Sequence, residues 1–191
     1  MKKILTSILL ISTLSLTQGC AGGLIVIAGT AVAVSSDERS ISEQLKDDSL
    51  SLAALDKINE LKLNTQDMRI NLISNSGYIL VIGQVSNQQM SNQIEQKLNT
   101  ITEAKGVYNQ LRIGRPIGFA QQSKDSWITT KVKSQLATHS EVDPLKIKVI
   151  TENAEVFLIG QVAPDMSNFA TNITRKVDGV KQVNRVFQII E

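Results

Sequence analysis

Ile79-Leu80-Val81-Ile82-Gly83-Gln84-Val85 and Val156-Phe157-Leu158-Ile159-Gly160-Gln161-Val162 are two versions of one strand, and they decide the fold. They align without a gap 77 positions apart, with Ile-Gly-Gln-Val identical in both. Just upstream, Arg69-Ile70-Asn71-Leu72-Ile73-Ser74 aligns with Lys146-Ile147-Lys148-Val149-Ile150-Thr151 at the same offset. Downstream, Ile101, Ala104, Val107 and Leu111 align with Val177, Val180, Val183 and Phe187 at an offset of 76, so a one-residue indel falls in the second helix or its loop. Self-similarity of this extent means two copies of one small domain.

Each copy reads helix, strand, strand, helix, strand. In the second copy, Asp125 or Ser126 caps a helix carrying Ile128, Val132 and Leu136 on one face. Two β-rich runs follow, Ile147 to Thr151 and Val156 to Val162, joined by a turn around Glu152-Asn153-Ala154. Asp165 caps the next helix, whose apolar face is Met166, Phe169, Ala170, Ile173 and Val177, and Val183 to Ile190 is the last strand. The first copy gives Leu55, Ile58 and Leu61, two strands, a helix with Met90, Ile94, Leu98 and Ile101, and a strand from Val107 to Ile113. The fold class is therefore α+β, two tandem αββαβ units. Gly83 and Gly160 interrupt the middle strands, where a glycine weakens pairing. Gly160 shares a face with Val156, Leu158 and Val162, so the first expectation is a structural glycine that lets a helix approach the sheet; a ligand contact is the alternative.

The start of the chain reads as an address. Lys2 and Lys3 precede an apolar run from Ile4 to Leu16, too short for a spanning helix. The run ends at Thr17-Gln18-Gly19-Cys20, which resembles a bacterial lipobox and implies lipidation, by diacylglycerol and palmitate, at Cys20. Cleavage there removes Lys2 and Lys3 and leaves basic and acidic side chains in equal number. No acidic residue follows the cysteine directly, which by resemblance to Gram-negative lipoproteins implies the outer membrane. The organisation expected is a signal peptide over 1–19, a lipidated apolar tether and linker over 20–45, a first repeat over 46–114, a linker over 115–123 and a second repeat over 124–191. The apolar stretch 21–34 cannot span a bilayer; headgroup contact and a plain spacer both fit it.

The whole chain has 191 residues, with 20 Lys+Arg, 18 Asp+Glu, one Cys and one His. Near-neutral charge excludes a general nucleic-acid binder, and one Cys with one His leaves neither a disulfide framework nor a zinc cluster. No cofactor motif and no nucleophile elbow is present, so no enzyme, cofactor or metal is expected. The adjacent Asp47 and Asp48 read as solvated helix charges.

Ile128-Thr129-Thr130-Lys131-Val132-Lys133-Ser134-Gln135-Leu136, the strand glycine in Ile-Gly-Gln-Val and Gly179-Val180-Lys181-Gln182-Val183 together resemble the BON domain family. A lipobox followed by two such copies resembles dual-BON outer-membrane lipoproteins, as do Asp125 to Val132 and Gly114-Arg115-Pro116-Ile117-Gly118. The resemblance implies a three-stranded mixed sheet with two helices on one face, anionic phospholipid as the ligand and a role in envelope integrity. It also implies a periplasm-facing outer-membrane protein at the division site. The first copy departs from the pattern, with Glu103 and Ala104 in place of Gly179 and Val180.

The charges point the same way. From Lys46 to Lys62 three lysines face Asp47, Asp48, Asp56 and Glu60; from Lys124 to His139 three lysines face Asp125 alone. An anionic bilayer attracts each nearby basic residue by about 1 kcal/mol, so the second helix is drawn to it and the first is not. Trp127, the single Trp, lies on the helix flank with Lys124, Thr130, Lys131 and Ser134. An indole among lysines suits the membrane interface. Just upstream, Ile117, Gly118, Phe119 and Ala120 read as an apolar loop dipping beside it. The competing reading makes Trp127 a rim residue packed on that loop or on the first repeat. Both faces of the middle strands are apolar (Leu80 and Ile82, Phe157 and Ile159). Either the repeats cover these against each other, or a protein partner such as outer-membrane assembly machinery does. The expected form is a monomer.

Overall fold

The computed structural model describes residues 24–27, 30–33 and 41–190. Stretch 1–19, with its signal-peptide reading, and Cys20 lie outside the described residues. The first repeat runs α1 (Ile41–Asn59), β3 (Met68–Asn75), β4 (Tyr78–Val85), α2 (Gln88–Leu98), β5 (Gly106–Ile113). The second runs α3 (Phe119–Ala137), β6 (Lys148–Glu152), β7 (Glu155–Val162), α4 (Pro164–Thr174), β8 (Gln182–Ile189). Before them, β1 (Leu24–Ile27) and β2 (Thr30–Ala33) form a hairpin within the stretch read as tether.

Each repeat builds the mixed sheet expected of it. The first two strands pair antiparallel, Ile70 with Gly83 and Lys148 with Ile159, and the third returns parallel to the second, Gly83 with Leu111 and Gly160 with Phe187. The second sheet has the order β6-β7-β8. The first is extended to β1-β2-β3-β4-β5, because β2 lies parallel to β3 with Thr30 opposite Ile70. Apolar spacing places the helices on one face. Leu50, Ala54 and Ile58 of α1 recur at four-residue steps and are buried with Ile70, Leu72, Ile79 and Val81; Ile128, Val132 and Leu136 of α3 are buried with Val149, Val156 and Leu158. Leu61 falls just beyond α1 and still packs on its core. Asn87 caps α2, its side-chain oxygen accepting from the Met90 N–H at 2.9 Å. Asp165 differs from its sequence reading: Ala163 is the cap residue, Pro164 occupies the first turn, and Asp165 beside it favours the positive helix end without a capping bond.

The strand glycines have a cause other than the one expected. A Cβ on Gly83 would lie 1.9 Å from the Arg69 carbonyl oxygen, and one on Gly160 would lie 2.1 Å from that of Lys146. The obstacle is backbone approaching from the preceding strand segment, not a helix. Both glycines also have positive φ, +128° and +155°, which the bare backbone tolerates.

The second faces of the two sheets meet each other. Ile73, Leu80 and Ile82 of the first repeat and Phe157 and Ile159 of the second form a third buried cluster, flanked by Ile150 and Val186. Polar groups close its margins. Glu152, 4% exposed, crosses from β6 to the first repeat. Its Oε1 accepts from Arg69 Nε at 3.1 Å and Gln84 Nε2 at 2.9 Å, and its Oε2 accepts from Asn71 Nδ2 at 2.7 Å. Burial pushes the Glu152 carboxyl above its ordinary value, against the opposing pull of the Gln84 hydrogen bond and Arg69. Arg112 grips Glu155 with both arms of its guanidinium, Nε to Oε1 at 3.1 Å and Nη2 to Oε2 at 2.7 Å.

Candidate membrane-facing site

The site is built on α3, which begins earlier than capping rules suggest. Gly118 is its cap residue, with no side-chain bond, so Phe119 and Ala120 form the first turn of the helix and not a loop. Ile117 is half-buried and pinned at both ends of its peptide: its N–H donates to Gln84 Oε1 at 3.1 Å, and its carbonyl accepts from Gln122 Nε2 at 3.2 Å. Gln84 thus touches both Glu152 and the entry to α3, tying the helix to the junction between the repeats.

Asp125, read as a cap, sits inside the helix at 3% exposure and performs a different task. The β6–β7 turn is made by Asn153 and Ala154, both with positive φ, and the N–H groups of such a two-residue turn have no partner in the strand ladder. Asp125 Oδ2 accepts from the Asn153 N–H at 2.7 Å, and Oδ1 accepts from the Ala154 N–H at 2.8 Å. Gln121 Nε2 donates to the same Oδ1 at 2.8 Å. Asp47 does the same in the first repeat, receiving the Ser76 N–H at 2.8 Å and the Gly77 N–H at 2.9 Å. Asp47 is 5% exposed, so it is not the solvated charge the sequence suggested. These carboxylates lock each first helix to its own hairpin. The repeat carried a signal for them, one place out of register with the strands: Asp47 stands 29 residues before Ser76 and Asp125 stands 28 before Asn153.

With Asp125, Ile128, Val132 and Leu136 turned inward, the opposite stripe of α3 faces solvent. Phe119 is 83% exposed and Trp127 64% exposed. Gly118, Ala120, Lys124, Thr130 and Ser134 are exposed beside them. At 3.6 residues per turn, Ala120, Trp127, Thr130 and Ser134 fall along one line, with Lys124 and Lys131 on one flank and Phe119 on the other; the stripe is roughly 22 Å long. Lys131 is half-buried, and its Nζ donates to the Asp178 carbonyl; among the described residues it enters no ion pair. The structure therefore brings Phe119, Ala120, Lys124, Trp127, Thr130, Lys131 and Ser134 to one surface, and places Ile117 partly beneath it. Trp127 is mostly exposed and so is not buried as a rim residue. Aligned on the equivalent aspartates, 78 positions apart, α1 holds Ser49 for Trp127 and Ala53 for Lys131. Among the described residues, no helix is long and apolar enough to cross a membrane.

Comparison with known proteins matches this architecture. The BON domain matches at residues 41–115 and again at 124–191. The chain is 36% identical over 185 residues to the outer membrane lipoprotein DolP of Haemophilus influenzae, covering 97% of this chain and 95% of that protein. It is 38% identical over 158 residues to the 21 kDa hemolysin of Actinobacillus pleuropneumoniae, covering 81% of this chain and 80% of that one. A solved structure, the C-terminal domain of CdsD, the structural protein of the type III secretion system of Chlamydia trachomatis, is similar at 12% identity and a TM-score of 0.32, covering 72% of this chain and 97% of that one, too distant to bear on fold or function. The chain belongs to the BON domain family, as a dual-BON protein of the DolP type of outer-membrane lipoprotein.

Proposed function

We propose that this protein is anchored through a lipidated Cys20 to the outer membrane, faces the periplasm, and binds anionic phospholipid through α3 of its second repeat. In that role it supports envelope integrity, with the division site as its place of enrichment. The observation that carries the reading is the exposed pair Phe119 and Trp127 on a helix whose basic residues are answered by one buried acid. An exposed indole and phenyl ring gain free energy on entering the headgroup region, roughly 25 cal/mol for each Å² of apolar surface removed from water. Lys124, Lys131 and Lys133 add electrostatic attraction of about 1 kcal/mol each at an anionic surface. Binding consists of shallow insertion and charge attraction, with no bond made or broken.

A tethered adaptor for outer-membrane assembly proteins is the second reading. It placed its partner on the open sheet faces, and the buried cluster of Ile73, Leu80, Ile82, Phe157 and Ile159 removes that surface. The test uses the chain's single Trp. The unacylated chain (Cys20→Ser) is titrated with vesicles of phosphatidylglycerol mixed into phosphatidylcholine, and with phosphatidylcholine alone. Trp127 emission moves to the blue with the anionic vesicles, and salt weakens the effect. No shift with either vesicle, on folded protein, refutes membrane contact.

A further inference from the structure

We infer that the turn joining α4 to β8, residues 175–182, holds the phosphate of an anionic lipid headgroup beside the aromatic stripe of α3. The inference rests on the membrane contact proposed above and adds a discrete ligand site to it.

Arg175 and Lys181 both line an open notch of about 330 Å³, completed by Val180, Gln182 and Val183. Both cations are exposed. Among the described residues, neither enters an ion pair. A cation at the end of a helix has an ordinary explanation, since it offsets the negative end of the helix dipole, and that accounts for Arg175 and Lys176 after α4. It does not account for Lys181, which lies past the turn and closes the far side of the same notch. An Arg and a Lys across a small gap form a suitable phosphate cradle: the guanidinium presents a planar fork to two oxygens, and the ammonium acts as a point charge.

The position of the turn selects a lipid over a soluble anion. Lys131 Nζ donates to the Asp178 carbonyl, which fastens the turn to the Lys131 flank of α3. Gly179, at φ +96°, lets the turn press on the helix; a Cβ there would stand 3.2 Å from the Ile128 side chain. The turn that carries the notch therefore abuts the Lys131 flank of α3, the side from which headgroups are reached when the Trp127 indole is at the interface. Lys131 and Lys176 raise the local positive charge, and Asp178 is the acid of the turn.

The two repeats supply an internal control. Aligned 76 positions back, Arg175, Lys176 and Gly179 become Asn99, Thr100 and Glu103; at the 78-residue offset of the helix aspartates, Lys131 corresponds to Ala53. Only Lys181 keeps its charge, as Lys105. Both repeats fold on the same frame, so the fold does not require Arg175, Lys176 or Lys131. These three are an addition to the repeat that carries Trp127.

The test compares the unacylated full chain with the double variant Arg175→Gln/Lys181→Gln and with a charge-matched control, Lys62→Gln/Lys97→Gln, on the first repeat. Affinity for vesicles containing phosphatidylglycerol is read from Trp127 emission. The notch variant weakens roughly tenfold to thirtyfold while keeping its full blue shift at saturation, as loss of two cations at the surface implies. The control changes by no more than about twofold, because its charges belong to the first repeat and Lys97 is already paired with Glu60. Equal weakening of both variants overturns the headgroup site and leaves the α3 reading standing; no shift in the unsubstituted chain overturns both. Backbone amide shifts of residues 180–183 identify the anion's source. Saturable shifts with short-chain phosphatidylglycerol, absent with inorganic phosphate at equal ionic strength, support the lipid assignment. Equal shifts with both anions overturn it.

Discussion

Asp125→Ala tests the strongest local claim of the structure, that a buried helix carboxylate holds the β6–β7 turn. The carboxylate receives two backbone N–H groups at 2.7 and 2.8 Å. Truncation leaves both without an acceptor. A buried orphan donor costs about 1–3 kcal/mol. Ala154 is buried and belongs at the upper end of that range, whereas the half-buried Asn153 reaches water more easily and belongs at the lower end. The expected total is about 3–4 kcal/mol. For repeats that unfold together as a unit of about 150 residues, each kcal/mol lowers Tm by about 2–4 °C, so the loss is roughly 6–16 °C. Asp125→Asn keeps one acceptor oxygen and is expected to lose about half as much. The assay is urea and thermal unfolding followed by Trp127 emission, two residues from the substitution. A change below about 0.5 kcal/mol in Asp125→Ala would refute the turn-holding role, because that is the range of an inert surface substitution. Asp47→Ala provides the parallel measurement in the first repeat.

Gly160→Ala places a methyl where backbone oxygen stands 2.1 Å away, so the chain before β6 must shift; the expected loss is at least about 2–3 kcal/mol, from overpacking together with an unfavourable φ. Thermal unfolding indistinguishable from the parent would show that this segment yields without cost. Glu152→Gln is expected to change the pH dependence of stability. Burial holds the Glu152 carboxyl above its ordinary value, so its contribution to folding is complete below the unfolded value and is lost as pH rises through the folded one. The stability of the parent relative to Glu152→Gln should therefore grow as pH falls from about 7 to about 4, and a constant difference across that range would contradict the assigned cause.

Much of this fold was legible because the sequence states it twice. The 77-residue offset aligned the strands, and apolar spacing put Ile128, Val132 and Leu136 on one helix face, which is where they lie. The start of α3 was not legible. Gly118 caps without a side chain, while Asp125 and Ser126 looked like better caps because their side chains favour that place. What Asp125 does depends on a turn 28 residues later, outside any local window. The reason for Gly160 was hidden in the same way: alternation gave its face, but the carbonyl of Lys146 that excludes a side chain is visible only once strands are paired. Apolar residues on both faces of β4 and β7 did announce that something must cover them. The covering surface is the other repeat, and Glu152 at its margin has three partners 68 to 83 residues away that leave no trace in spacing.

The shared cluster between the sheets also sets an order of events for the newborn chain. Contacts inside each repeat are comparatively local, but Leu80 and Ile82 meet Phe157 and Ile159 only after a whole second domain has arrived. Such distant closures are slow relative to local ones. During export the N-terminal repeat thus emerges first, with a greasy flank and the Arg69 guanidinium still waiting for its acid. That half-finished species is the one most exposed to misassembly, including wrong pairing with the same flank of a neighbouring molecule. The protein's vulnerability in the envelope is greatest in the interval between the arrival of its two halves, and substitutions at the seam should act on yield of mature protein before they act on anything it binds.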